Sequence, residues 1–240
     1  MPKAKYEQIY KILKNKIENG EYPPQKFLPS ENTLIIEFSC SRNTLRRAIS
    51  ELVKIGYVQT MQGKGVCSIF QPTDKATFTL GNIESFAESA KRNGFTGTSE
   101  IIKFCECIAD EKISALTGFV IGEPLYYLQR LHFMNDVAMI LNHSYFRQDI
   151  AKGLTCEIAR DSVYNYLENT LNINIISSKR IVSVEHMSEL DEKYLDLGDY
   201  NCLAVVSSQT FDSNGIMFEY TESRHHPKYF RFQDNAVRKK

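Results

Sequence analysis

Tyr6, Ile9, Tyr10, Leu13 and Ile17 recur at three- and four-residue intervals, the period of a helix with one buried face, and the run stops at Asn19-Gly20. Pro23 and Pro24 then break the chain. A shorter helix is predicted to open at Ser30, whose hydroxyl can cap it, with Leu34, Ile35 and Phe38 as its apolar side. Ser39 and Cys40 make a turn, and Ser41 caps a third helix. Leu45, Ile49, Leu52 and Val53 give that helix an apolar stripe behind the polar Arg42, Asn43, Thr44 and Arg46. It closes at Ile55-Gly56, and residues 57–61 and 66–70 read as strands joined through Gln62-Gly63-Lys64-Gly65. Helix, turn, helix and glycine hairpin in this order make a winged helix-turn-helix.

The pattern changes after residue 70. Gln71-Pro72-Thr73-Asp74-Lys75 has turn composition and no apolar period. A linker is therefore expected over 72–77, between a DNA-binding domain at 1–71 and a second domain at 78–240. Strand-like and helix-like stretches alternate in the second domain without the regular repeat that a doubly wound parallel sheet needs. An α+β fold is expected, an antiparallel sheet with packed helices. Helices are predicted over 83–93, 111–117 and 162–170, and strands over 98–109, 125–134, 138–146, 177–186, 202–211 and 216–226. Asn135-Asp136 and Asp212-Ser213-Asn214-Gly215 supply hairpin turns.

A chain of 240 residues has room for two domains, and a hydrophobic fraction of 42% is that of a soluble globular protein. No apolar run of about 18 residues could span a bilayer, and Met1-Pro2-Lys3-Ala4-Lys5 lacks the apolar core of a secretion signal. A cytoplasmic protein without a membrane partner is expected. Formal net charge is zero, which by itself argues against a nucleic-acid partner. The distribution reverses that argument: residues 1–70 hold 11 Lys and Arg against 6 Asp and Glu, while the rest hold 18 against 23. The six cysteines lack zinc-ribbon spacing and read as ordinary buried thiols. His225-His226, neighbours on a strand, point to opposite faces, so neither a metal nor another cofactor is expected.

The Leu-Pro-Ser-Glu start at Leu28, Ser41-Arg42-Asn43-Thr44-Leu45-Arg46, Gly56-Tyr57 and Gly63-Lys64-Gly65 stand in the order found in the GntR family of bacterial transcription regulators. Residues 5–70 resemble that family's DNA-binding domain. Ser39-Cys40, where a small residue and valine are more usual, is the departure. The resemblance implies DNA contacts from Ser30, Glu31, Ser41, Arg42, Asn43, Thr44, Arg46 and Arg47, and from Gly63, Lys64 and Gly65 at the wing tip. Arg42 and Arg46 are the candidates for base or phosphate contact, Thr44 for phosphate and the wing for the minor groove.

The remainder resembles the effector-binding UTRA domain of the HutC subfamily, whose fold is related to chorismate lyase. Glu219-Tyr220-Thr221-Glu222-Ser223-Arg224-His225, Phe230-Arg231-Phe232 and Asp161-Ser162-Val163-Tyr164-Asn165-Tyr166-Leu167 are similar to segments of trehalose operon repressors. The implied function is transcriptional repression by a homodimer on a palindromic double-stranded operator, relieved by a sugar phosphate, trehalose 6-phosphate. Another sugar phosphate or a small acid as effector, activation instead of repression, and an enzyme on the lyase-like fold are the alternatives. The last lacks a nucleophile or carboxylate pair with a positioned base, so no enzymatic activity is expected.

Phosphate needs fixed cations and hydroxyl or backbone donors. The resemblance assigns these roles to Arg130, to Ser85-Phe86 and to Ser162. It also puts His132 where relatives carry a second arginine. A neutral histidine brings little charge, and Arg224 is the candidate to compensate. Asn142 and Glu219 take the places of sugar-binding carboxylates, with Tyr164 and His225 as further contacts.

Overall fold

A computed structural model describes residues 5–71, 78–79 and 83–233. The chain divides into two units. In the first, α1 (Lys5–Glu18), α2 (Glu31–Phe38) and α3 (Arg42–Lys54) precede the antiparallel pair β1 (Val58–Met61) and β2 (Gly65–Ser68). Ser30 and Ser41 cap α2 and α3, each Oγ accepting the amide three residues on at 3.2 Å. Ser39 holds the left-handed backbone (φ 45°) that ends α2 and turns the chain into α3. The predicted stripes meet in one core: Ile9, Leu13 and Ile17 of α1, Leu34 of α2, and Leu45, Ala48, Ile49 and Leu52 of α3. Phe27 forms an isolated antiparallel bridge to Cys67, which ties the segment before α2 to the edge of the two-stranded wing.

The two-residue strands β3 (Phe78–Thr79) and β10 (Phe232–Gln233) pair with each other. The second unit is built on a six-stranded antiparallel sheet. Its elements in chain order are α4 (Phe86–Arg92), β4 (Gly97–Ile108), α5 (Glu111–Thr117), β5 (Pro124–Met134), β6 (Val137–Arg147), α6 (Cys156–Arg160), α7 (Val163–Asn169), β7 (Ile175–His186), α8 (Glu189–Tyr194), β8 (Cys202–Asp212) and β9 (Met217–His225). The strand order is β4-β5-β6-β9-β8-β7. Asn135 and Asp136 both take positive φ in the β5–β6 turn, the backbone that a two-residue hairpin requires.

Side chains alternate between the sheet's two faces, and each face has its own cover. On one, Leu128 and Phe146 pack with Ala159, Val163 and Leu167 of α6 and α7, while Met134, Met139 and Ile140 meet Phe86 of α4. On the other, Leu131, Leu141, Leu203 and Val205 pack with Leu195 and Leu197 beside α8, and Leu125 and Tyr220 with Phe119 after α5.

The linker expected over 72–77 lies outside the described residues. Two other expectations change. The helix expected from Ile83 begins only at Phe86, because Ser85 and Glu88 form a reciprocal capping box that fixes the start. The short helices α6 and α8 are additions, both too brief to show an apolar period; α8 is marked in sequence only by its Ser188–Asp191 cap.

Candidate DNA-binding face and effector site

At the head, Arg42, Asn43 and Arg46 are exposed on α3. Glu31 holds the arginines together: its carboxylate accepts from Arg46 Nε at 2.9 Å and Nη2 at 3.2 Å and lies 3.9 Å from Arg42 Nε. Arg42 Nη2 also donates to Asn32 Oδ1 at 3.3 Å. Exposed pairs of this kind contribute about 0–1 kcal/mol, so phosphate or a base edge can displace Glu31 at little cost. Arg47 departs from the expectation, because its guanidinium lies 3.7 Å from the Tyr6 ring centroid and so packs back on α1. Ser30, Ser41 and Thr44 are engaged at helix starts, where the amide dipoles favour an anion. At the wing tip Gly63 (φ 72°) and Gly65 (φ 115°) turn the chain around Lys64, and Gly63 has open space around it.

In the second unit, register decides which candidates meet. Arg130 stands opposite Asn142, which stands opposite Ser223; His132 stands opposite Ile140, and Ile140 opposite His225. Phe146 faces Glu219, and Glu219 faces Thr210. These residues share the sheet face covered by α4 and α7. Tyr164 reaches down from α7 and donates to Glu219 Oε2 at 2.6 Å, while Thr221 donates to Oε1 at 2.9 Å. Burial pushes the Glu219 carboxyl up, opposed by those two hydroxyls and by the charge of Arg130. The same burial pulls Arg130 down from the usual guanidinium range, with Glu219 working against it.

His132 is fixed on three sides. Ser99 Oγ is 2.6 Å from Nδ1, Asn142 Nδ2 is 3.5 Å from Nε2, and Phe86 stacks at a centroid distance of 4.3 Å. Burial, then Arg130 and His225, hold its pKa well below the ordinary value, so the ring is neutral near pH 7. His225 is neutral too: burial lowers it to about 3, and it packs on Phe230. His226 faces away and its Nε2 meets Asp196 O at 2.8 Å, as strand alternation requires.

The regions of the chain now have matches. Residues 5–67 match the model for bacterial regulatory proteins of the gntR family, and residues 92–231 match that for the UTRA domain. The chain belongs to the UTRA-bearing GntR family. It is 31% identical to the transcriptional regulator TreR of Bacillus subtilis over 98% of both chains. The crystal structure of YydK, a possible transcriptional regulator from the same organism, superposes with a TM-score of 0.82 at 22% identity, covering 98% of this chain and 100% of that one, and so shares the fold. The effector-binding domain of the Bacillus subtilis trehalose repressor superposes with a TM-score of 0.54 at 29% identity, covering 60% and 99%.

Within this family member the face gathers Arg130, His132, Asn142, Glu219, Tyr164, His225 and Phe86. Ser85 and Ser162 are committed as N-caps, to Glu88 N and Asn165 N. Arg224 does not belong. It stands opposite Leu141 and Val205 on the far face of the sheet, where it donates to Asp191, Glu185, Glu222 and the His186 carbonyl. It therefore cannot supply the cation absent at His132, and its pair with Glu222 belongs to a cluster centred on the buried Asp191. Ser99, Ser144, Thr210 and Thr221 were missed as members of the polar face. Ser144 and Thr210 are buried on that face, but they stand among other polar residues of β6 and β8, so nothing in the sequence singles them out. The cysteines also differ from expectation, since only Cys67 is buried and the other five are half-buried.

Proposed function

We propose that this regulator is a homodimeric transcriptional repressor. It binds a palindromic operator in the cytoplasm through two winged heads and leaves when a sugar phosphate, trehalose 6-phosphate, fills each effector domain. One head reads only a few base pairs, and two-fold pairing matches an operator with two half-sites. The observation that carries the reading is the convergence of Arg130, Asn142, Tyr164 and Glu219 on one sheet face. A buried guanidinium beside buried hydroxyl and carboxyl groups suits an anion attached to a polyol. Similarity to TreR along nearly the whole chain supports trehalose as the sugar.

Arg42 and Arg46 contact bases or phosphates, Thr44 a phosphate, and the Gly63-Lys64-Gly65 tip the minor groove, with Ser30, Glu31, Ser41 and Asn43 completing the surface. The junction over 72–77 carries the change between the domains. Release requires the effector to favour the unbound conformation by several kcal/mol across the two sites.

The test is binding to a labelled copy of the palindrome upstream of its own or the neighbouring gene, with trehalose 6-phosphate, trehalose or glucose 6-phosphate added. Release by trehalose 6-phosphate alone is expected; tight binding indifferent to all three would discard the trehalose assignment.

A further inference from the structure

β7 is the last strand of the six-stranded sheet, and among the described residues no strand pairs with its outer edge. Its 12 residues therefore offer a row of backbone donors and acceptors to another strand. The opposite edge is covered: α4 and α6 lie against β4, whose Ile101, Ile102 and Phe104 pack into the cores on the two faces. No described helix makes comparable contact with β7. Ile181, Val182 and Val184 are 58%, 44% and 73% exposed there. Val182 and Val184 rise from the effector face and Ile181 from the face of α8, so the edge is apolar on both sides. A long edge of this kind is an association site unless something covers it.

The sequence of β7 suits a second copy of itself. A two-fold axis normal to the sheet pairs two such strands antiparallel and keeps every side chain on its own face, so opposed residues must lie an even number of positions apart in sequence. An axis at Lys179, Arg180 or Glu185 would oppose like charges. An axis at Val182 sets Val182 against its own copy, Ile181 against Ser183, Arg180 against Val184 and Lys179 against Glu185, each of the last three twice by symmetry. No other centre within the strand sets opposite charges against each other. Glu185 is also held in place beforehand, since its Oε2 accepts from Arg224 Nη1 at 2.9 Å.

We propose that two effector domains join by antiparallel pairing of β7 with β7 of a second copy about a two-fold axis at Val182. The two sheets then continue into one, the open backbone edge is satisfied, and Ile181, Val182 and Val184 are covered. The proposal rests on the homodimer reading above and gives it a surface.

The experiment is sedimentation of the full-length protein over a concentration series, repeated on Lys179→Glu, Val182→Lys and Glu185→Lys. The unaltered protein sediments as a dimer. Lys179→Glu opposes two carboxylates on each side of the axis, and Val182→Lys brings two ammonium groups together at it. Each raises the dimer dissociation constant at least about tenfold. Glu185→Lys does the same. An equal mixture of Lys179→Glu with Glu185→Lys restores opposite charges at both places, so it returns to a dimer that native mass spectrometry reads as mixed. Glu185→Lys also removes a partner of Arg224; if it does not fold, Lys179→Glu and Val182→Lys decide. A dimer unchanged by those two overturns the β7 contact and leaves the homodimer reading intact. Charge variants that fold, and stay monomeric both alone and mixed, overturn the pairing at Val182. A monomer at every concentration of the unaltered protein overturns the contact and the homodimer together.

Discussion

Arg130 and Arg224 stand on opposite faces of one sheet. Arg130 pairs with Asn142, which pairs in turn with Ser223, while Arg224 pairs with Leu141 and Val205. The consequence is a division of labour: one guanidinium lines the effector face, and the other pins α8 to the back through Asp191, whose side chain is fully buried. Burial opposes the charge of Arg224, yet hydrogen bonds to Asp191, Glu185 and Glu222 outweigh it and raise its pKa.

Arg224→Gln should therefore lower stability and spare the effector. Leaving Asp191 buried without its partner costs about 3–5 kcal/mol, read as a fall in the urea midpoint. Effector affinity of the folded fraction should stay within about twofold. A large loss of affinity at unchanged stability would return Arg224 to the site.

Gly97, the first residue of β4, leaves no room for a side chain. A Cβ there would lie 2.6 Å from Ala90 Cβ and 3.0 Å from Phe86 Cε1. Gly97→Ala should push α4 outward and cost about 1–3 kcal/mol. Because Phe86 stacks on His132, effector binding should weaken as well. Thermal unfolding and titration on the same preparation check both effects.

Acid should weaken the effector domain well above the range of ordinary carboxylates. His225 titrates near 3 when folded against about 6.5 when unfolded, so between those values the unfolded chain binds the proton and stability falls as pH drops. His132 acts in the same direction. The slope should reach about 1.4 kcal/mol per pH unit for each histidine. Asp191 is lowered because its bonds to Arg224 and Ser188 overcome burial, so its contribution is lost further down, as pH falls through its folded value. Glu219 runs the other way, since its raised pKa makes protonation a relief. Urea midpoints between pH 7.5 and 5 measure the slope, and His225→Asn should flatten it.

Arg46→Ala should cost operator affinity about 1–3 kcal/mol if the side chain grips a guanine in the bidentate manner, with the loss confined to operators that keep that base. A loss equal for all operator variants, with a shallower salt dependence, would make Arg46 a phosphate contact. Glu31→Gln should strengthen binding to unrelated DNA, because it releases the partner that Arg46 holds at 2.9 Å. Titrations of labelled duplexes at two salt concentrations separate these outcomes.

The head was legible because its signals are local. A serine cap at each helix start, the apolar stripes of α1 and α3 and the glycine turn of the wing each lie within a few residues of sequence, and each has its predicted place. Arg47 escaped because its direction depends on Tyr6, a partner 41 positions away on another helix.

The effector domain divides along the same line. Alternation along each strand determined its strands and hairpins, and the residue types at 130, 142 and 219 announced polar chemistry. Which residues share a face across the sheet depends on register, and register is set between strands far apart in the chain. Tertiary structure alone placed Arg224 behind the sheet, tied Tyr164 to Glu219 and left Arg130 facing Asn142 across an unbridged gap. Spacing within a segment fixes a local period, while a binding face is made by the pairing of segments.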